Sequence, residues 1–297
     1  MPELPEVETV RRGLTQLVVG KTITSIDVYY PKMVMNGPVE FTKLLTGRTV
    51  TRVDRRGKYL LFRFDEGLTM VSHLRMEGKY FGAPADTPID NHTHVVFHLS
   101  DGQLLCYNDT RKFGRMIVIH TGDENTVGGL KSLGPEPTEE TLSVSYLKAK
   151  MAKSRKAIKT WLLDQNNVAG LGNIYCDEVL WMSKIHPEQP ANSITLAQIK
   201  RLRLNIFEEL QLAIDHHGTT VFTYSAFGHA GEFQNELHAY GHVGEPCERC
   251  GTKMVKIKVG ERGTTFCPKE QKLRKATISA TKKAAQTVAA KTKRSTK

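Results

Sequence analysis

Apolar residues near the start of the chain recur at helical spacing. Val7, Val10 and Leu14 fall on one face of residues 3–14, with Pro5 in the first turn, and Gly13 and Gly20 offer stops. The period then shortens. Runs rich in β-branched and aromatic residues at 22–28, 49–53, 59–64, 68–72, 95–99, 104–107 and 116–119 read as strands. Asp101-Gly102 marks a hairpin turn between two of them. One helix followed by this succession predicts a β-sandwich over residues 1–133.

After Gly134-Pro135-Glu136-Pro137, a linker-like stretch, the helical period returns. Residues 157–163, 174–182 and 196–214 read as helices, and Ile199, Leu202, Ile206, Leu210 and Ile214 share one face of the last. A Gly/Ser/Thr-rich stretch at 218–231 reads as a loop. Residues 237–271 gather three cysteines in what reads as a small metal-stabilised hairpin. No internal repeat is visible. The expectation is an α+β multidomain chain divided at 1–133, 134–236, 237–273 and 274–297.

Composition narrows the class. Hydrophobic content of 39% and charged content of 25% describe an ordinary globular protein, and no apolar run approaches the roughly 20 residues of a membrane helix. A cytoplasmic monomer is expected. The net charge of +11 favours a polyanionic partner, but eight of those charges lie from Arg274 onward, in a segment without acidic residues. That tail reads as disordered and solvated, so charge alone does not establish nucleic-acid binding.

The first residues carry the most specific chemistry. With Met1 removed, Pro2 would present a secondary amine just ahead of a helix N-terminus, whose partial positive charge favours the neutral, nucleophilic form. Such an amine condenses with an aldehyde-like sugar carbon to give a cationic imine, and Glu3 beside it could shuttle protons. The plainer reading makes Pro2 a stiff cap and Glu3 and Glu6 carboxylates that complement the helix dipole.

Pro2-Glu3-Leu4-Pro5-Glu6-Val7-Glu8-Thr9 closely resembles the start of the bacterial formamidopyrimidine-DNA glycosylases, which act on 8-oxoguanine and cleave abasic sites. The resemblance continues through Arg56-Gly57-Lys58-Tyr59-Leu60, His73-Leu74-Arg75-Met76-Glu77-Gly78, Asp109-Thr110-Arg111-Lys112-Phe113-Gly114 and Leu133-Gly134-Pro135-Glu136-Pro137. It runs on through Gly170-Leu171-Gly172-Asn173-Ile174-Tyr175, Gln234-Asn235-Glu236-Leu237 and the C-terminal cysteines, in family order.

That resemblance implies a β-sandwich with an N-terminal helix, a helix-two-turn-helix domain and a C-terminal zinc-finger β-hairpin. It also implies roles. Pro2 would attack the sugar C1′ and displace the base, and Glu3 would be the general acid/base. Lys58 would aim a cation at the lesion and phosphate, and Arg262, at the finger tip, would assist β- and δ-elimination. Met76, Arg111 and Phe113 would fill the gap left by a flipped base. His92, Arg155 and Asn173 would contact the DNA backbone. The partner would be duplex DNA holding oxidised bases or abasic sites. The 219–231 loop would cap the lesion.

One structural Zn²⁺ is expected on Cys247, Cys250 and Cys267, but where the family has a fourth cysteine this chain has Glu270. His242, a water, or a metal-free hairpin are the alternatives to a carboxylate ligand. Two other functions compete: a sister endonuclease VIII-like enzyme for oxidised pyrimidines, and a non-catalytic damage-binding protein. A zinc ribbon on a translation factor would fit the finger and explain nothing before residue 237.

Overall fold

The computed structural model describes residues 1–219, 225–226, 229–230 and 232–274. The expected capping loop, apart from its first residue and a few others, and the basic tail beyond Arg274 lie outside the described residues.

Helix α1 (Leu4–Val18) leads into β1 (Ile23–Val28), α2 (Pro38–Leu45), β2 (Val50–Arg56), β3 (Tyr59–Phe64), β4 (Leu68–His73), β5 (Lys79–Pro84), β6 (Thr93–Leu99), β7 (Gln103–Asn108) and β8 (Arg115–His120). These strands form two four-stranded antiparallel sheets, ordered β1-β6-β7-β5 and β2-β3-β4-β8. Phe41, Phe62, Met70, Phe97, Leu105 and Tyr107 fill the space between them and α1. The expected sandwich with its N-terminal helix is therefore present.

Helix α1 differs from its sequence reading in length. It runs straight through Gly13, because Leu14 and Val18 beyond it are both buried in the sandwich core. That apolar gain outweighs the roughly 1 kcal/mol that a mid-helix glycine costs. Strand β5 and helix α2 were not legible in the sequence. In β5, Gly82 and Pro84 obscure the alternation, and Gly82 lets Leu17 pack closely.

A helical half follows: α3 (Gly128–Lys131), α4 (Val144–Ala152), α5 (Ile158–Leu163), α6 (Asn173–Met182) and α7 (Leu196–Asp215). It has its own core, with Trp161, Tyr175, Leu180, Leu202 and Ile206 all essentially without solvent exposure. Leu4 of α1 belongs to this second core, whereas Val7 and Val10 belong to the first. Two-residue strands β9 (Ser225–Ala226) and β10 (His229–Ala230) precede the terminal hairpin, β11 (Val255–Val259) paired with β12 (Arg262–Phe266).

Candidate active site and cysteine finger

The segment 3–6 is gripped from both halves. Leu4 N–H donates to the Gly170 carbonyl at 3.0 Å, and Glu3 N–H donates to Glu6 Oε2 at 2.8 Å. Glu6 is buried and its other oxygen accepts from Tyr175 Oη at 2.6 Å and from Thr219 N–H at 2.9 Å. Glu6 thus ties α1 to the helical half rather than merely complementing a dipole. Sequence reasoning passed over that role, and an acidic residue three positions after another at a helix start was the available signal.

Glu3 Oε1 accepts the Ile174 N–H at 3.0 Å, so the glutamate itself occupies the start of α6, where free helix N–H groups favour an anion. A Cβ on Gly172 would fall 2.2 Å from Glu3 Cδ, which explains the second glycine of Gly170-Leu171-Gly172. Glu3 Oε2 has no hydrogen-bond partner among the described residues. Asn173 turns its Nδ2 to the Gly263 carbonyl at 3.1 Å and so holds the finger strand β12.

These groups face a cavity of about 550 Å³ between sandwich and helical half. Its lining brings together Met1, Glu3, Lys58, Met76, Asn173 and Arg262 from five separate stretches of sequence. Pro2 is buried beside it. Lys58 follows Gly57, whose φ of +56° makes the β2–β3 turn, and is 4% exposed rather than solvated. A larger recess of about 680 Å³ lies at Arg11, Arg55 and Arg63, but its arginines are committed to Glu8, Glu136, Asp54 and Glu124.

Burial sets the protonation of the cavity. It raises the Glu3 carboxyl, with Lys58 opposing, and it lowers the Lys58 ammonium, with Glu3 opposing. The N-terminal amine is also lowered, first by burial, with Lys58 adding to the effect against Glu3 and Glu6. Burial, Arg75 and Lys58 hold His73 at about 3, so its ring is neutral, and its Nδ1 accepts the Arg75 N–H at 2.9 Å. Burial thus shifts the acid toward its protonated form and the amines toward their neutral forms, the direction that favours proton transfer between them.

His92, Arg111, Phe113 and Arg155 lie outside the cavity lining and are exposed. Phe113 is 46% exposed, with the Arg111 guanidinium 4.8 Å from its ring centre. Their loop is organised by Asp109, fully buried, whose carboxylate accepts the N–H groups of Arg111, Phe113 and Gly114 at 2.8–3.0 Å. Asp109 was not singled out as functional in the sequence.

The finger is pinned by a buried ion pair. Lys159 Nζ donates to Asp177 Oδ1 at 2.6 Å and to the Gly263 carbonyl at 3.0 Å, and Asp177 Oδ2 accepts the Thr265 N–H at 3.1 Å. At its far end the Cys247, Cys250 and Cys267 sulfurs all lie within 4.8 Å of one another, with Cys250 and Cys267 at 3.5 Å. Three converging thiols suit zinc. Glu270 is not part of this group: its carboxylate pairs with Lys184 Nζ at 2.6 Å and Arg249 Nε at 3.6 Å. His242 is turned to Glu245 at 2.7 Å.

A buried acid, a desolvated lysine and an arginine on a cysteine finger meet at the seam of a sandwich and a helical domain, the arrangement that the resemblance to the formamidopyrimidine-DNA glycosylases implies. Three family models match the chain: the formamidopyrimidine-DNA glycosylase N-terminal domain at residues 1–116, its H2TH domain at 133–225, and the zinc finger found in FPG and IleRS at 244–269. The formamidopyrimidine-DNA glycosylase of Lactiplantibacillus plantarum is 61% identical over 92% of this chain and 100% of its own length, and that of Latilactobacillus sakei 60% over 91% and 98%. A solved complex of Lactococcus lactis Fpg with DNA containing an abasic site superposes with a TM-score of 0.87 at 48% identity, covering 91% of this chain and 99% of that one. A Lactococcus lactis FPG mutant bound to DNA containing Fapy-dG gives 0.87 at 49%, covering 91% and 100%.

The chain belongs to the formamidopyrimidine-DNA glycosylase family, and it is a DNA glycosylase of base excision repair. Among the described residues no helix is long and apolar enough to cross a membrane.

Proposed function

We propose that this enzyme excises oxidised purines from duplex DNA through an imine on Pro2 and then cuts the abasic strand by β,δ-elimination. The observation that carries the reading is the single cavity joining the chain start, Glu3, Lys58 and Arg262. The Pro2 amine, with Met1 removed, attacks the sugar C1′ as the base departs with a proton. The C1′–O4′ bond then breaks, O4′ taking a proton from Glu3 as general acid, and the opened sugar is left as an iminium on Pro2. The iminium withdraws electrons and acidifies C2′, so the 3′ phosphate leaves by β-elimination and the 5′ phosphate by δ-elimination. Lys58 and Arg262 steady these phosphates as they acquire charge. Met76, Arg111 and Phe113 enter the vacated stack, and His92, Arg155 and Asn173 hold the backbone. The substrate places the enzyme in the cytoplasm, on the chromosome.

The division at 1–133, 134–236 and 237–273 fits this work: the first half supplies the amine, the second the Glu3 anchor, and the finger delivers Arg262. A zinc ion on Cys247, Cys250 and Cys267 would hold the finger's far end and supply structural rigidity. For Glu270 to become the fourth ligand it must exchange its pairs with Lys184 and Arg249 for the metal.

Borohydride trapping on a duplex carrying 8-oxoguanine opposite cytosine tests the reading. A covalent adduct mapping to the N-terminal peptide, absent in Pro2→Gly, is expected. Thymine glycol trapped in preference to 8-oxoguanine would favour the endonuclease VIII-like alternative. An adduct at full yield on a lysine, with Pro2→Gly still active, would reject the mechanism.

A further inference from the structure

The loop after β4 carries Met76, and the loop after β7 carries Arg111 and Phe113. Each ends in a glycine, Gly78 and Gly114, and neither of these has positive φ. Backbone freedom therefore does not explain them. Space does. A Cβ on Gly78 would lie 2.1 Å from Tyr107 Oη and 2.6 Å from the Leu74 carbonyl oxygen, and one on Gly114 would lie 1.8 Å from the same Tyr107 Oη. One hydroxyl is wedged against the backbone of both loops.

Tyr107 is well placed to be rigid. It is fully buried on β7, paired in register with Tyr80 on β5 and Val95 on β6. Its ring meets Tyr80 edge-on at 4.9 Å, and Tyr80 Oη is in turn held by Ser72 Oγ at 2.8 Å. Two residues further on, Asp109 gathers the second loop. Atoms packed this closely transmit displacement, because neither can yield without opening a gap or a clash.

We propose that the Tyr107 hydroxyl mechanically couples the Met76 loop to the Arg111–Phe113 loop, making Tyr107 a positioning residue that brings all three side chains into the duplex together. This rests on the reading above that these side chains fill the vacated base stack. Tyr107 touches no DNA in this scheme. It fixes the spacing between two wedges that must enter one gap, and a misplacement near 1 Å costs on the order of a hundredfold in rate.

Phe113→Trp puts a fluorophore on the second loop, and its quenching on rapid mixing with a duplex bearing a tetrahydrofuran abasic analogue reports insertion. In that background, Gly78→Ala and Tyr107→Phe alter the first loop and the coupling point. Each is expected to slow quenching on the order of tenfold. Val96→Ala thins a separate cluster with Leu104 and Cys106, serves as the control for lost stability, and should quench at the parental rate. Should Tyr107→Phe fail to fold, Gly78→Ala decides alone.

Parental quenching rates in the folded variants would overturn the coupling, as would equal slowing in Val96→Ala. If Phe113→Trp in the otherwise unaltered protein shows no quenching at all, insertion itself falls and the coupling with it.

Discussion

Lys159→Met strikes the point where the finger joins the body. Lys159 is 0% exposed and Asp177 1% exposed, so the substitution strands a carboxylate without its cation. Breaking a buried pair from one side costs about 3–5 kcal/mol. Burial already raises the Asp177 carboxyl, with Lys159 the main opposing influence, so the variant raises it further. A folded-state carboxyl pKa above the unfolded value means the folded protein holds the extra proton, and stability falls as pH rises between the two values. Lys159→Met should therefore lose more at pH 8 than at pH 6, and Lys159→Met/Asp177→Asn should recover much of the loss. The same substitution removes the Lys159 bond to the Gly263 carbonyl beside Arg262, so strand cleavage should fall more than base excision. Urea denaturation at both pH values and single-turnover gels separate these effects. A variant as stable as wild type at pH 8, cleaving at the wild-type rate, would refute the argument.

Glu136 offers a second pH test. Burial pushes its carboxyl up, but Arg55, the Gly57 N–H and Arg56 outweigh that and hold it below the usual range. This stabilisation is present at neutral pH and lost as pH falls through the folded value, so the melting deficit of Glu136→Gln should shrink on acidification below about 4. A deficit that is constant with pH would reject the linkage. At the finger, metal analysis of protein purified without added zinc should find the ion in wild type, more tightly held in Glu270→Cys and lost in Cys247→Ser, since carboxylate is the harder ligand. Zinc-free wild type whose DNA cleavage is indifferent to chelators would mean a metal-free finger. Truncation after Leu273 should flatten the salt dependence of DNA affinity, by a log–log slope of at most about 7 for eight phosphate contacts, and leave single-turnover excision nearly unchanged. A large loss of excision rate at saturating enzyme would refute that.

The strands were legible because seven of the eight in the sandwich alternate or run apolar between turn residues, and α7 because its buried face repeats over twenty residues. The cavity was less so. Lys58 sits in a hairpin turn, where a lysine ordinarily meets water, and only the family motif marked it. Glu6, Asp109 and the Lys159–Asp177 pair escaped because their partners are distant in sequence or are backbone N–H groups. Glu6 reaches Thr219, and Lys159 reaches Gly263. Local periodicity carries no information on such pairings. Glu270 was placed on the metal by sequence position, whereas its surroundings offer two cations.

Leu4 in the helical core and Val7 in the sandwich core make α1 a shared beam, with the proposed nucleophile, Pro2, at its tip. This bears on how the enzyme is born. Glu3 is made well before its partners: it finds its α6 anchor only once residue 174 has emerged, and Arg262 follows nearly ninety residues later. A nascent chain stalled before residue 262 thus carries an incomplete set of the proposed reacting groups. On the proposed roles, lyase chemistry waits until residue 262 has been made. For the same reason neither half could be exchanged for a foreign module without rebuilding residues 3–7, which contact both.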